Sequence, residues 1–172
     1  MKYIMTDVEA DGPCPGLYSM VSFSAIVVEP SLDRVFFTEL APISQLWVPE
    51  ALAVSGYTRE QTYKFTQPAE AITAFSEWLM SIKGNKTERL MFVSDNNGFD
   101  WQFINYYLWR YTDGNPFGHT SQNLGDLYKG MQKSCFESFK HLRKTRHSHD
   151  PRDDARGNAE AMLAMKGTGL KF

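Results

Sequence analysis

The first forty residues carry apolar and polar positions in the period of extended chain. Residues 3–7 form a short stretch of that kind, and residues 18–28 a longer one whose Val, Ile, Phe and Ser suit a central strand. Between them, Gly12-Pro13-Cys14-Pro15-Gly16 must be a loop, because two prolines and two glycines defeat helix and ladder alike. Asp33-Arg34 reads as a turn into a third strand over 35–40, which makes an antiparallel meander.

The period then lengthens. Residues 68–83 place Ala71, Ile72, Phe75, Leu79 and Ile82 at three- and four-residue spacing, with Pro68 at the first turn and Gly84 just past the end, which predicts a helix. Residues 89–94 read as a strand, 99–111 as an aromatic helix, 123–128 as another short strand, and 129–144 as a helix without a clean apolar stripe. Residues 153–165 are rich in Ala and Met, open with acidic residues that favour a helix N-terminus, and are stopped by Gly167 and Gly169. Strands in a meander followed by strands alternating with helices predict an α/β fold: a mixed sheet flanked by helices. No repeat, low-complexity tract or linker interrupts the chain, so residues 1–172 are expected to form one domain.

Composition excludes some functions and leaves others open. A net charge of −2 does not mark a protein that binds nucleic acid through its overall charge, so any such binding must use local charge. Cys14 and Cys135 are far apart and lack the spacing of a disulfide framework or a zinc site. No apolar run approaches membrane-spanning length and the first residues do not form a leader, so a cytoplasmic protein without membrane contact is expected.

Three acidic clusters carry the candidate chemistry. Asp7-Val8-Glu9 ends the first strand, where side chains two apart share a face about 7 Å apart and can converge on one cation, while Val8 packs on the other side. Taken alone, such a pair is more often a solvated strand end. Asp95-Asn96-Asn97-Gly98-Phe99-Asp100-Trp101 lies at a strand-to-helix junction, a common ligand position. Asp100 can add a third carboxylate there, with Asp95 as a rival and the better helix cap by composition. His147-Ser148-His149-Asp150-Pro151-Arg152-Asp153-Asp154 sets a titratable imidazole beside carboxylates, and spacing alone does not choose His149 over His147 or Asp154 over Asp153.

Together these segments resemble the three motifs of the DEDDh branch of the 3′–5′ exonucleases: Asp7-Val8-Glu9 the first, Asn96 to Asp100 the second, and His149 to Asp154, with four residues between, the third. A sibling branch has Tyr four residues before the last Asp, where this chain has Asp150. The resemblance selects His149 and Asp154, and implies a ribonuclease H-like fold. Leu124-Gly125-Asp126-Leu127 resembles the family's Asp-x-Leu segment, which gives Asp126 a supporting role. Ala53-Val54-Ser55-Gly56-Tyr57-Thr58 resembles a family loop that commonly reads His-Gly-Ile-Thr, with departures at Ser55 and Tyr57; Asp11 to Gly16 replaces a frequent Thr-Thr-Gly.

What the resemblance implies is two-metal phosphodiester hydrolysis at a free 3′ end of single-stranded RNA or DNA, with Mg²⁺ in the cell and Mn²⁺ as a substitute. Asp7, Glu9, Asp100 and Asp154 would be the metal ligands and His149 the general base. Substrate contacts are expected from Tyr18, Ser55, Tyr57, Phe99 and Trp101 by stacking or packing, and from Arg143 and Lys144 within the basic run Lys140, His141, Arg143, Lys144, Arg146 and His147. A solvated helix face accounts for that run equally well. Trp47, Tyr106, Tyr107 and Trp109 offer either a homodimer interface or core. The competing readings are a catalytically inactive nucleic-acid-binding protein and an RNase H-like endonuclease.

Overall fold

A computed structural model describes residues 1–85 and 87–172. Strand β1, Lys2–Ala10, alternates as its sequence requires: Ile4, Val8 and Ala10 enter one apolar layer, and Met5 the layer on the other side of the sheet. β2, Met20–Val27, is buried along its whole length, as a strand covered on both faces must be. β3, Val35–Glu39, completes the antiparallel meander, with Asp7 opposite Ser24 and Glu9 opposite Ser22 in the β1–β2 pairing.

Two short helices follow, α1 at Pro49–Val54 and α2 at Arg59–Thr62, the second closed by a capping box between Thr58 and Gln61. α3, Pro68–Ser81, buries Ala71, Ile72, Phe75 and Leu79, the stripe read from the sequence. β4, Leu90–Ser94, leads into α4, Asn97–Tyr111. α3 and α4 cover the Val8 side of the sheet, where Phe75 meets Phe23 edge-on at 4.8 Å and the hydroxyl of buried Tyr107 accepts the Met20 amide at 2.9 Å. Tyr107 is thus core, whereas Trp47 and Trp109 are exposed.

The next segment differs from the sequence expectation. β5 is only Ser121–Asn123, and residues 124–128 begin helix α5, Leu124–Gln132, rather than continuing a strand. The Asn123 side chain accepts the Asp126 amide at 2.9 Å, and Leu124 and Tyr128, one helical turn apart, are the buried pair. Nor are residues 129–144 one helix. α5 closes with Lys133 in the left-handed region (φ 53°), and only a 3₁₀ turn, Phe139–Leu142, follows. The missing apolar stripe explains this, since Phe139 alone in that turn is buried. α6, Pro151–Gly167, then packs Ala155, Ala159, Met162 and Met165 against the Met5 side of the sheet.

Strand order is β3-β2-β1-β4-β5, with β1–β4 and β4–β5 parallel, so the fold is the mixed α/β sheet expected. The β1–β4 pairing ends at Met5 and Val93, after which β4 turns away into α4. The C-terminal half of β1 is left with β2 as its only strand neighbour, and a crevice opens where α/β sheets commonly bind ligands. Among the described residues, no helix is long and apolar enough to cross a membrane.

Candidate active site

Once β4 has left, the Val8 amide on the free edge of β1 needs an acceptor. Asp100, in the first turn of α4, supplies it: Oδ1 accepts the Val8 N–H at 3.2 Å. The Asp100 side chain is therefore drawn beside Asp7 and Glu9, which stay half-buried in the crevice while Val8 is fixed in the core beneath. Asp100 itself is 2 % exposed, and its Oδ2 has no hydrogen-bond partner.

The fourth carboxylate comes from the opposite layer. Asp150 caps α6 by accepting the Arg152 amide at 2.9 Å, and Pro151 starts the helix. That phasing turns Asp154 inward, 1 % exposed, and leaves Asp153 outside, where it accepts the Ser148 hydroxyl at 2.9 Å. Asp154 accepts the amides of Ser148 and His149, both at 3.1 Å, and its Oδ2 lies 2.8 Å from His147 Nδ1. His149 has φ 61°, a left-handed conformation costing about 1–2 kcal/mol for a non-glycine residue, which these bonds hold in place. Its Nδ1 stands 4.0 Å from Glu9 Oε1.

The loop ahead of His149 is pinned to α6. Glu160 accepts the amides of Lys144 and Thr145, and a side chain at Gly157 would meet the Thr145 carbonyl at 2.7 Å, so only glycine allows this approach. Arg143, 8 % exposed, turns inward to pair with Asp95 at 2.8 Å and to donate to Asn158.

One oxygen from each of Asp7, Glu9 and Asp154 lies within 4.8 Å of the others. Burial, then repulsion from Asp100, Asp154 and Glu9, holds the Asp7 carboxyl well above the usual carboxylate range, with Arg143 opposing weakly. Burial and then the charges of Asp154 and Asp150 push Glu9 up to about 7. Burial also raises Asp100, against the opposing influence of the Ser94 side chain and then of the Val8 amide. Such a group of carboxylates without enough cations around it is what a hard divalent ion would relieve. The donors are all oxygen, the crevice is open to about 200 Å³, and Asp100 Oδ2 is an acceptor without a donor, so these residues fit Mg²⁺ or Mn²⁺.

The remaining expected site residues divide. Phe99 lines both the acidic crevice and an apolar pocket of about 360 Å³ beside it, made with Ala10, Pro13, Val48, Ala51 and Val54. Ser55 and Tyr57 line a groove with His149; Tyr57 donates to Glu39, and burial with that bond pushes its hydroxyl up to about 12. Tyr18 closes over Gly12, and Lys144 is exposed. Three expectations are corrected. Trp101 is no stacking platform: it packs against Phe92 at 5.1 Å and Phe117 at 6.4 Å, because two residues along a helix rotate it about 200° from Phe99. Asp126 does not support the site, since its exposed carboxylate faces Lys129 at 3.6 Å. Asp95 does not cap α4, whose N-cap is Asn96; it pairs with Arg143 instead.

Sequence reasoning also missed Asp11. It is fully buried, ion-paired to Arg59 at 2.6 Å, and accepts the Val48 amide through its carbonyl at 2.8 Å, which ties the pocket wall to the end of β1. The only signal was an acidic residue continuing the Asp7, Glu9 alternation into a Pro- and Gly-rich loop.

A mixed sheet with four carboxylates at the divergence of two parallel strands defines a ribonuclease H-like nuclease fold. No family model matches the chain. The 3′-5′ DNA exonuclease Cap18 of Escherichia coli is 36% identical over 167 residues, covering 92% of this chain and 88% of the relative. The chain belongs to the 3′–5′ exonucleases and is an enzyme of that class. Among solved structures, the nuclease domain of 3′hExo, a DEDDh family member bound to rAMP, superimposes with a TM-score of 0.77 at 15% identity, over 98% of this chain and 92% of that one. E. coli exonuclease I in complex with a dT13 oligonucleotide gives 0.72 at 16% identity over 98% of this chain, which spans only 41% of that longer protein.

Proposed function

We propose that this exonuclease removes nucleoside 5′-monophosphates one at a time from the 3′ end of single-stranded DNA, with Asp7, Glu9, Asp100 and Asp154 as metal ligands and His149 as general base. The observation that carries the reading is the convergence of four carboxylates from β1, α4 and α6 on one crevice, three of them with an oxygen within 4.8 Å of the others and the fourth, Asp100, with a buried oxygen lacking a partner. Divalent cations bound there supply a water of lowered pKa and neutralise charge on the phosphate and leaving oxygen. Asp7, Glu9 and Asp154 would hold one ion, and Asp7 with Asp100 the other.

The chain's own residues set the rest. His149, at the solvent mouth of the crevice beside Glu9, takes the proton from the attacking water. Water oxygen bonds to phosphorus, the bond from phosphorus to the 3′ oxygen of the preceding nucleotide breaks, and that oxygen leaves with the bonding pair and takes a proton from solvent to become the new 3′-hydroxyl. The apolar pocket beside Glu9 takes the terminal base by contact with Phe99, Val48 and Val54, which favours no particular base. DNA is the preferred substrate on the strength of a relative named a DNA exonuclease and a structural neighbour solved with dT13.

Incubation with Mg²⁺ or Mn²⁺ and 5′-labelled single strands of DNA and RNA tests the reading. A ladder shortening from the 3′ end of DNA, abolished by a 3′-phosphate block, is expected. Internal cuts in the blocked strand would replace the exonuclease reading with an endonuclease.

A further inference from the structure

The loop that carries His149 holds a second imidazole, to which the reaction proposed above assigns no step. His147 and His149 have ring centroids 4.3 Å apart, both are 51 % exposed, and His147 Nδ1 already touches Asp154. One ligand atom from each of His147, His149 and Asp154 lies within 4.8 Å of the others. Ligand atoms around a tetrahedral ion with bonds of about 2.1 Å stand about 3.4 Å apart, so rotations of two surface side chains suffice to close this set. Asp154 is meanwhile fixed by the Ser148 and His149 amides.

We propose that His147, His149 and Asp154 form a Zn²⁺ site that inhibits the enzyme. Two imidazoles and one carboxylate suit zinc and leave a fourth position for water, whereas Mg²⁺ prefers an all-oxygen shell and would not compete well for the two nitrogens. Exposure of both rings gives zinc a path from solvent. An ion there takes the His149 nitrogen out of proton transfer and engages one Asp154 oxygen that the acidic crevice would otherwise use. Inhibition therefore rests on the roles proposed above for those two residues; the binding itself does not.

Calorimetric titration of zinc chloride into the wild-type protein, His147→Ala and His147→Cys, all in millimolar Mg²⁺, tests the site. Cys14 and Cys135 are common to all three proteins, so differences report on position 147. Loss of a group that merely supports a metal ligand costs about 10–100-fold in affinity, and His147→Ala is expected to bind zinc at least about tenfold more weakly, while His147→Cys, which keeps a zinc-compatible ligand, retains tight binding. With each protein's turnover in Mg²⁺ referred to its own zinc-free rate, about tenfold more zinc should be needed to half-inhibit His147→Ala than wild type. Equal zinc affinity in wild type and His147→Ala overturns the site. A wild-type protein that binds zinc as expected but fails to shorten DNA in Mg²⁺ overturns the function proposed above and leaves the zinc site standing.

Discussion

Asp100 Oδ1 accepts the Val8 amide across 92 residues of chain, at the place where β1 loses β4 as a neighbour. One oxygen of this carboxylate thus serves the fold, and the other is buried without a partner. Asp100→Asn keeps an acceptor for Val8 but removes the charge. Turnover should fall by at least about 10²-fold while the melting temperature in chelator holds or rises. A variant with wild-type turnover would remove Asp100 from the metal site.

His149→Ala and Asp7→Ala should separate base from ligand. The first is expected to lose about 10²–10⁴-fold in kcat and keep its Mn²⁺ affinity, because the imidazole only moves a proton. The second should lose both, since Asp7 is central to the acidic group. Calorimetry with Mn²⁺ beside single-turnover kinetics checks the pair.

Burial and mutual repulsion raise the carboxyls of Asp7, Glu9 and Asp100 in the folded protein, Glu9 to about 7. Between their ordinary values and these raised ones the folded state holds more protons than the unfolded state, so stability falls as pH rises. In chelator, the melting temperature should drop from pH 5 to 7.5, with each group contributing up to about 1.4 kcal/mol per pH unit. Saturating Mg²⁺ or Mn²⁺ should flatten that slope; a melting curve indifferent to metal at pH 7.5 would count against ions in the crevice.

Arg143 and Lys144 are neighbours with different surroundings. Lys144→Ala should leave stability unchanged and reduce the salt slope of single-strand binding by about 0.7. Arg143→Ala breaks a largely buried pair with Asp95 and should cost about 3 kcal/mol in denaturant melts. Equal effects of the two substitutions on the salt slope would show that Arg143 reaches the substrate.

Ala51→Phe fills the pocket proposed for the terminal base. KM for oligonucleotides should rise about tenfold with Mn²⁺ affinity unchanged, the change expected when roughly 1.4 kcal/mol of contact is lost. An unaltered KM would move the base elsewhere.

The sequence showed the parts of this molecule that depend on period. Asp7, Val8 and Glu9 divide between two faces because a strand must alternate, and the stripe from Ala71 to Leu79 could pack only as a helix. It failed where a single side chain chose between structures. Asn123 turns a short apolar run into helix by accepting one amide, and spacing in residues 140–147 says nothing of Arg143 turning inward to Asp95. Trp101 was misread for another reason: its place behind Phe99 follows from helix geometry, and was available from the sequence. The depth of Asp11, set by Arg59 from 48 residues away, was not.

The acidic hollow exists because two parallel strands separate early, at Met5 and Val93. Two more residues of ladder there would zip the edge shut, with the Val8 amide finding a backbone carbonyl in place of Asp100. Such an insertion would satisfy every rule of sheet formation and still give a protein unable to cut. On the function proposed above, activity in this fold depends on where hydrogen bonding between neighbouring strands is made to stop.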